Sequence, residues 1–284
     1  MFSLVFVFAI FFLQLLNDTD TDLILSLCLG GGIATLSGFI DDVMEIDAIL
    51  KLIIQIFLAG WIVFCFDGGP LTCIGWIPDW FAWMLTCFLL IWLINLYNFM
   101  DGIDGMAASG AVFIAGVISV LLFIKGDADM AFMLLLLSVI CIGFLVFNWP
   151  PASLFMGDSG SVFLGYCFGV FIMKTVMEDN VSFWTWLVVF GYFVGDTTTT
   201  TLMRIVFVKK WYGAHRSHAY QNCARIFGSH KKVTKMVVAY QLVWLFPLAI
   251  WSICQPDLAP VAVVLALTPT VLWTLRNGPA LSSS

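Results

Sequence analysis

The feature that most constrains this chain is the recurrence of apolar stretches long enough to cross a bilayer along its whole length. A spanning helix needs roughly 20 consecutive apolar residues. Ten such candidates can be marked in the sequence, at 1–16, 23–40, 49–66, 80–97, 107–125, 130–148, 160–177, 183–208, 234–254 and 258–275. Backbone in hydrocarbon must satisfy its own hydrogen bonds, and strand-like alternation is missing from these stretches, so they are expected to be helices. With 62% hydrophobic and 11% charged residues, the chain is too apolar to be solvated alone, since soluble domains carry about 25% charge. The expected fold class is therefore all-α, a polytopic membrane protein of about ten transmembrane helices joined by polar loops, read as a single domain over 1–284. The first span has no basic flank and no small-residue cleavage site, unlike a secretory leader. The eight cysteines show no close pairing, which argues for packing residues over a disulfide or metal framework.

Between spans the polar residues are sorted by side. The odd connections carry Asp18, Asp20 and Asp22, Asp67 and Asp79, Asp127 and Asp129, Glu178 and Asp179, and Asp257. The even ones begin at Asp41, Asn98, Trp149 and Lys209. Eight of the twelve Lys and Arg residues lie between Arg204 and Lys235. An excess of cations places a loop in the cytoplasm, so the even connections are expected there. Lys125 and Lys174 end spans on the opposite side and count against this.

The first three even connections each carry an acidic group with glycine beside it: Gly38-Phe-Ile-Asp41-Asp42, then Asn95-x-x-Asn98-x-x-Asp101-Gly-x-Asp104-Gly, then Phe155-Met-Gly-Asp158-x-Gly. The fourth is basic and holds all three histidines, His215, His218 and His230. Neighbouring carboxylates at a membrane boundary repel one another and lose solvation, and a divalent cation relieves both costs. Oxygen donors suit Mg²⁺, which shares its shell with substrate phosphates. Glycine allows close approach of a bulky anion, and the basic loop supplies donors to phosphate. Together these describe phosphoryl transfer at a membrane surface. Singly, each has a plain alternative. Asp196 serves equally well as a helix-packing hydrogen bond, Asp101-Gly102 as a turn, Glu45 and Asp47 as solvated charges, and Lys231, Lys232 and Lys235 as topology signals. His230 reads as incidental.

These motifs, in this order, resemble the polyprenyl-phosphate N-acetylhexosamine-1-phosphate transferases, and the resemblance runs from about residue 20 to the C-terminus. It implies that undecaprenyl phosphate attacks the β-phosphate of a UDP-N-acetylhexosamine, giving lipid-diphospho-sugar and UMP with Mg²⁺, or Mn²⁺ as a substitute. By resemblance Asp41 orients the lipid phosphate with Asp42 beside it, while Asn95, Asn98, Asp101 and Asp104 line the nucleotide and diphosphate site. Asp158 is the metal ligand, with Asp104 as a second. Phe155 stacks on uracil, Asn148 lies near the same pocket, Lys51 approaches the diphosphate, and Asp196 is a further substrate contact. His215, Arg216 and His218 stand where the family has its histidine motif, in the form seen in the O-antigen-initiating branch. The implied setting is a bacterial inner membrane with the site facing the cytoplasm. The implied partners are nucleotide sugar, lipid phosphate and bilayer, with no nucleic acid, and a homodimer is the assembly to test. The sequence is expected to lack the family's first helix and following basic loop. Two rivals are weighed. A cation-coupled transporter is favoured by Asp196 but disfavoured by the lack of repeated halves. A CDP-alcohol phosphatidyltransferase needs one compact Asp-Gly/Ala-Arg motif that is not found.

Overall fold

The computed structural model describes residues 2–16, 20–73, 77–207 and 217–279. Among them there is no strand, and eight helices are long and apolar enough to cross a membrane. The protein is an all-α polytopic membrane protein, as its apolar periodicity dictates. The chain divides into two compact units. One comprises Met1–Asn98, Val139–Cys141 and Met156–Val181, and the other Phe99–Ser138, Ile142–Phe155 and Ser182–Ser284.

In the first unit α1 (Phe2–Leu16), α2 (Thr21–Leu25), α3 (Gly31–Met44), α4 (Ala48–Cys65) and α5 (Asp79–Phe99) surround α8 (Gly157–Met177). A π turn over Ser26–Gly30 joins α2 to α3. Such turns leave carbonyls without their regular partner, and here the Tyr166 hydroxyl donates to the Ser26 carbonyl at 2.9 Å. Gly30 makes room for it, because a Cβ there would lie 1.8 Å from the Tyr166 hydroxyl oxygen. Phe6 is fully buried, edge-on to Phe163 with ring centroids 6.0 Å apart. At the far end of α8, Lys174 pairs with Asp20 and with Glu178, the latter at 2.7 Å. This cation, which ran against the charge-sorting argument, is thus neutralised. Burial raises the Asp20 carboxyl, but its bonds from Lys174 and the α2 amides overcome this and hold it below the usual range.

The second unit holds α6 (Met106–Lys125), most of α7 (Ala128–Asn148), α9 (Phe183–Val189), α10 (Gly191–Phe207), α11 (Ala219–Phe227), α12 (His230–Tyr240), α13 (Phe246–Cys254) and α14 (Ala259–Asn277). The ten expected spans need two adjustments. The stretch 183–208 is not one helix. Ser182 caps α9 through a 3.2 Å bond from the Thr185 amide, the chain turns at Phe190, and α10 begins at Gly191. Of α1, the stretch Phe2–Leu13 is recognised among the described residues as a shorter apolar helix. Gly195 brings α10 close to α14, since a Cβ at that position would meet Thr270 at 2.8 Å.

Among the described glycines of the first unit, the closest approach to another helix's backbone is that of α3 to the start of α8. A Cβ on Gly38 would sit 2.3 Å from the Asp158 carbonyl oxygen, and backbone cannot yield as a side-chain tip does. Gly38→Ala should destabilise the protein by about 1–3 kcal/mol through overpacking, read as a lower unfolding temperature in detergent. Gly32→Ala, where a Cβ meets nothing within 4 Å, should leave that temperature unchanged.

Candidate active site

Gly38 allows the two aspartates at the end of α3 to meet the first turn of α8. Asp42 accepts from the Asp158 amide at 2.8 Å and from the Ser159 amide at 3.1 Å. A helix begins with amides that have no partner inside it, and its positive dipole end favours a carboxylate. Asp42 therefore caps α8 from another helix. The chain enters α8 through Gly157 in the left-handed region, φ +65°, where a Cβ would lie 2.6 Å from an Asp42 oxygen.

Asp41, one residue earlier, is buried and turned toward α4. It accepts from Lys51 Nζ at 2.5 Å and from the Ile46 amide at 3.1 Å. The Asp41 and Asp158 carboxyls are near enough to perturb each other, and Lys51 Nζ stands 3.6 Å from Asp158 Oδ2. Asn98 Nδ2 donates to Asp158 Oδ1 and to Ser161 Oγ, each at 2.9 Å. Asp47 caps α4 instead of joining the cluster, accepting from the Ile49 amide at 2.6 Å. Asn95 exchanges amide hydrogen bonds with Gln55 at 2.7 and 3.2 Å, a reciprocal pair that ties α5 to α4. In this unit the structure gathers Asp41, Asp42, Lys51, Asn98 and Asp158.

The second unit builds its own polar centre on the loop between α5 and α6. Asp104 accepts from the Ala152 amide at 3.1 Å, and its other oxygen is 3.2 Å from His230 Nδ1. Asn148 accepts from the Gly105 amide at 3.0 Å and donates to the Leu154 carbonyl at 2.8 Å. Asn148 therefore locks two loops together while itself buried. Tyr220, fully buried, donates to the Phe99 carbonyl at 2.7 Å and accepts from the Gly102 amide at 2.9 Å, which brackets half-buried Asp101. Burial, with the Asp196 and Asp101 charges, pushes the Tyr220 phenol far up, so it keeps its proton. Gly102 is needed here, because a Cβ would meet the Tyr220 hydroxyl at 2.3 Å.

Asp196 repeats the capping device. It is completely buried on α10, accepts from the Ala219 and Tyr220 amides at 3.1 and 3.3 Å, and takes a 3.1 Å bond from Thr200 Oγ1. It thus caps α11 and sets Tyr220 in place. His218 is buried between the Phe99 and Tyr220 rings, with Nδ1 3.7 Å from Asp196. Phe155 is 73% exposed. His215 and Arg216 lie outside the described residues.

Within this second unit a cavity of about 760 Å³ opens between the Gly102–Asp104 loop, Pro150–Pro151, α11 and the start of α12. Its wall includes Gln221 and Arg225, with His230 and Lys231, which in the sequence read as incidental and as a topology signal. The sequence carried one cue to them, the Gly228-Ser229 helix start preceding His230. What binds His230 to the site is a contact with a residue 126 positions away, which spacing cannot reveal.

Among the described residues no group of three or more His, Cys, Asp or Glu side chains is arranged to hold a metal alone. The donor set nevertheless suits Mg²⁺. Two facing carboxylates, with one cation already drawn between them, match an ion bound by one or two protein carboxylates, water and substrate phosphate.

A profile of glycosyl transferase family 4 matches residues 24–176, just over half of the chain. The chain belongs to glycosyl transferase family 4. Relatives within reach of this family 4 chain include a probable undecaprenyl-phosphate N-acetylglucosaminyl 1-phosphate transferase of Bacillus subtilis, 26% identical over 231 residues. That match covers 79% of this chain and 64% of the relative. A phospho-N-acetylmuramoyl-pentapeptide-transferase of Streptococcus pneumoniae serotype 19F is 30% identical over 217 residues, 72% of this chain and 63% of the relative. Another of the same name, from Desulforamulus reducens, is 34% identical over 142 residues, half of this chain and 40% of the relative. The family 4 chain thus spans under two thirds of the length of the relatives it matches. The matched profile contains the whole Asp41, Asp42, Lys51, Asn98 and Asp158 cluster.

Tyr220→Phe keeps the ring and deletes the hydroxyl that serves Phe99 and Gly102. Leaving those groups unpaired should cost about 1–3 kcal/mol. Amide exchange should speed up across residues 99–105, measured by hydrogen–deuterium exchange, while α1–α4 stay protected.

Proposed function

We propose that this family 4 chain transfers N-acetylhexosamine-1-phosphate from a UDP-sugar to undecaprenyl phosphate, releasing UMP, as the first step of O-antigen or related surface polysaccharide synthesis. The observation that carries this reading is the Asp41–Lys51–Asp158 arrangement. It is a pair of carboxylates, Asp41 buried and Asp158 partly exposed, sharing the Lys51 ammonium at a helix start and built by residues that the family profile spans. The names of the Bacillus subtilis and Streptococcus pneumoniae relatives agree with the reaction class. The site is proposed to face the cytoplasm of a bacterial inner membrane, on the strength of the cations between Arg204 and Lys235.

A lipid phosphate oxygen is already ionised near neutral pH, so the protein's main tasks are alignment and charge neutralisation. In the proposed reaction that oxygen bonds to the β-phosphorus, and the bond to the oxygen bridging the α- and β-phosphates breaks. The electron pair leaves on UMP. Lys51 offers its ammonium to the incoming phosphate, and Asp41 holds Lys51 in position. Asn98 fixes the Asp158 carboxyl, and Asp42 anchors the turn that bears it. Mg²⁺, held by Asp158 with Asp41, would supply a counter-charge for the diphosphate. The cavity beside Asp104, within the second unit, has the size usual for small-ligand pockets, roughly 300–1,000 Å³. Exposed Phe155 offers a ring to the base. The transporter alternative leaned on Asp196, whose carboxylate is committed to α11 and Thr200.

The test is UMP release by membranes containing the chain, supplied with undecaprenyl phosphate and a panel of UDP-sugars. UMP should appear only with both substrates present, and should stop when EDTA removes the divalent ion. Asp158→Asn, at equal expression, should lower turnover by about 10²-fold or more. Unchanged turnover in that variant would remove Asp158 from the metal role, and no UMP from any UDP-sugar would sink the proposal.

A further inference from the structure

Away from these polar centres, α12 and the turn that follows it leave a gap against α14. Val233, Met236, Val237 and Tyr240 face Pro269 and Trp273 across a cavity of about 230 Å³. Tyr240 and Pro269 also wall an adjoining space that reaches Val243 and Trp244, so the two form one groove. Its origin is a pair of helix irregularities. Pro269 has no N–H to give to the Leu265 carbonyl, and the Trp244 indole supplies that bond instead at 3.1 Å. Opposite it, residues Gln241–Leu245 form a π turn. The Tyr240 hydroxyl donates to the Ala266 carbonyl at 2.6 Å, and Thr270 donates to that hydroxyl at 3.2 Å. The polar atoms of the groove are thus occupied within the protein, and what remains for a ligand is hydrocarbon surface.

One end of the groove is charged. Lys232 precedes Met236 by one turn on α12, and Arg276 follows Trp273 by three residues on α14, spacings that put each cation on the groove side of its helix. Lys232 Nζ lies 4.3 Å from the Phe227 ring centroid. Both cations are exposed, and neither has an acidic partner among the described residues. From Lys232 to Val243 is eleven residues, about 16 Å of helix. That is close to half of a ~30 Å hydrocarbon core, the depth of one leaflet.

We propose that this groove holds one anionic phospholipid, its phosphate between Lys232 and Arg276 and an acyl chain along Tyr240 and Pro269. A cation pair over an apolar channel one leaflet deep is complementary to an anionic lipid. Lys232 points roughly 200° around α12 from His230, so a phosphate held there is turned away from the cavity at Asp104. The inference stands independently of the proposed reaction.

The test uses the full chain in detergent, titrated with phosphatidylglycerol or with phosphatidylcholine of matched acyl chains, the bound lipids being counted by native mass spectrometry. One phosphatidylglycerol should bind about tenfold more tightly than phosphatidylcholine. Lys232→Gln with Arg276→Gln should erase that preference. Ala239→Trp, which fills the groove and leaves both charges, should reduce binding of either lipid. Thermal unfolding identifies a variant that has failed to fold, and the other variant then decides. An unchanged preference in the charge variant overturns the proposal. So does undecaprenyl phosphate that displaces the bound lipid from the wild-type chain, since it would assign the groove to the acceptor.

Discussion

The organisation of both units depends on a carboxylate of one helix meeting the unpaired amides that begin another. Asp42 does this for α8 and Asp196 for α11. In water such amides would be solvated and the cap worth about 0.5–2 kcal/mol. At a membrane boundary, where unsatisfied backbone groups cost several kcal/mol each, the same bonds decide where a helix can start. In the first unit the cap delivers Asp158 to Asp41, Lys51 and Asn98. In the second it delivers Tyr220 to the loop carrying Asp101 and Asp104. Each polar centre is thus held at one remove, by a carboxylate that accepts from the backbone amides of another helix.

This arrangement divides the acidic residues into two kinds. Asp42, Asp47 and Asp196 spend their oxygens on helix starts, and the dipole of the capped helix compensates their charge. Asp41 and Asp158 face each other with one ammonium between them, a placement that compact backbone cannot compensate. Only a cation or a change of protonation relieves such a pair. The distinction is chemical and could not be drawn from residue type, because all five are aspartates next to small or apolar residues.

Much of the architecture was legible in the sequence because apolar length has a direct physical meaning in a bilayer. The clustering of Asp41, Asn98 and Asp158 was legible for a related reason, since ends of successive helices alternate sides. What the sequence concealed were bonds made across many helices. Nothing local distinguishes Asp42, which caps a helix 116 residues later, from Asp41, which does not. Asn95 read as a substrate contact because it shares a motif with Asn98, yet one turn of helix sends its amide to Gln55. The break at Phe190 was hidden by hydrophobicity that continues through it. His230 looked incidental because its partner, Asp104, lies far away in the chain.

The close approach of α3 to α8 bears on how such a sequence can vary. Gly38 admits the backbone of Asp158, Gly157 admits the Asp42 carboxylate, and Asp42 holds the turn that both glycines make possible. Each residue is useful only in the presence of the other two. Their substitutions are therefore epistatic: once one is lost, the penalty for losing a second shrinks, because the contact it served has already gone. A change at any one of the three positions therefore undoes the contact that the other two serve.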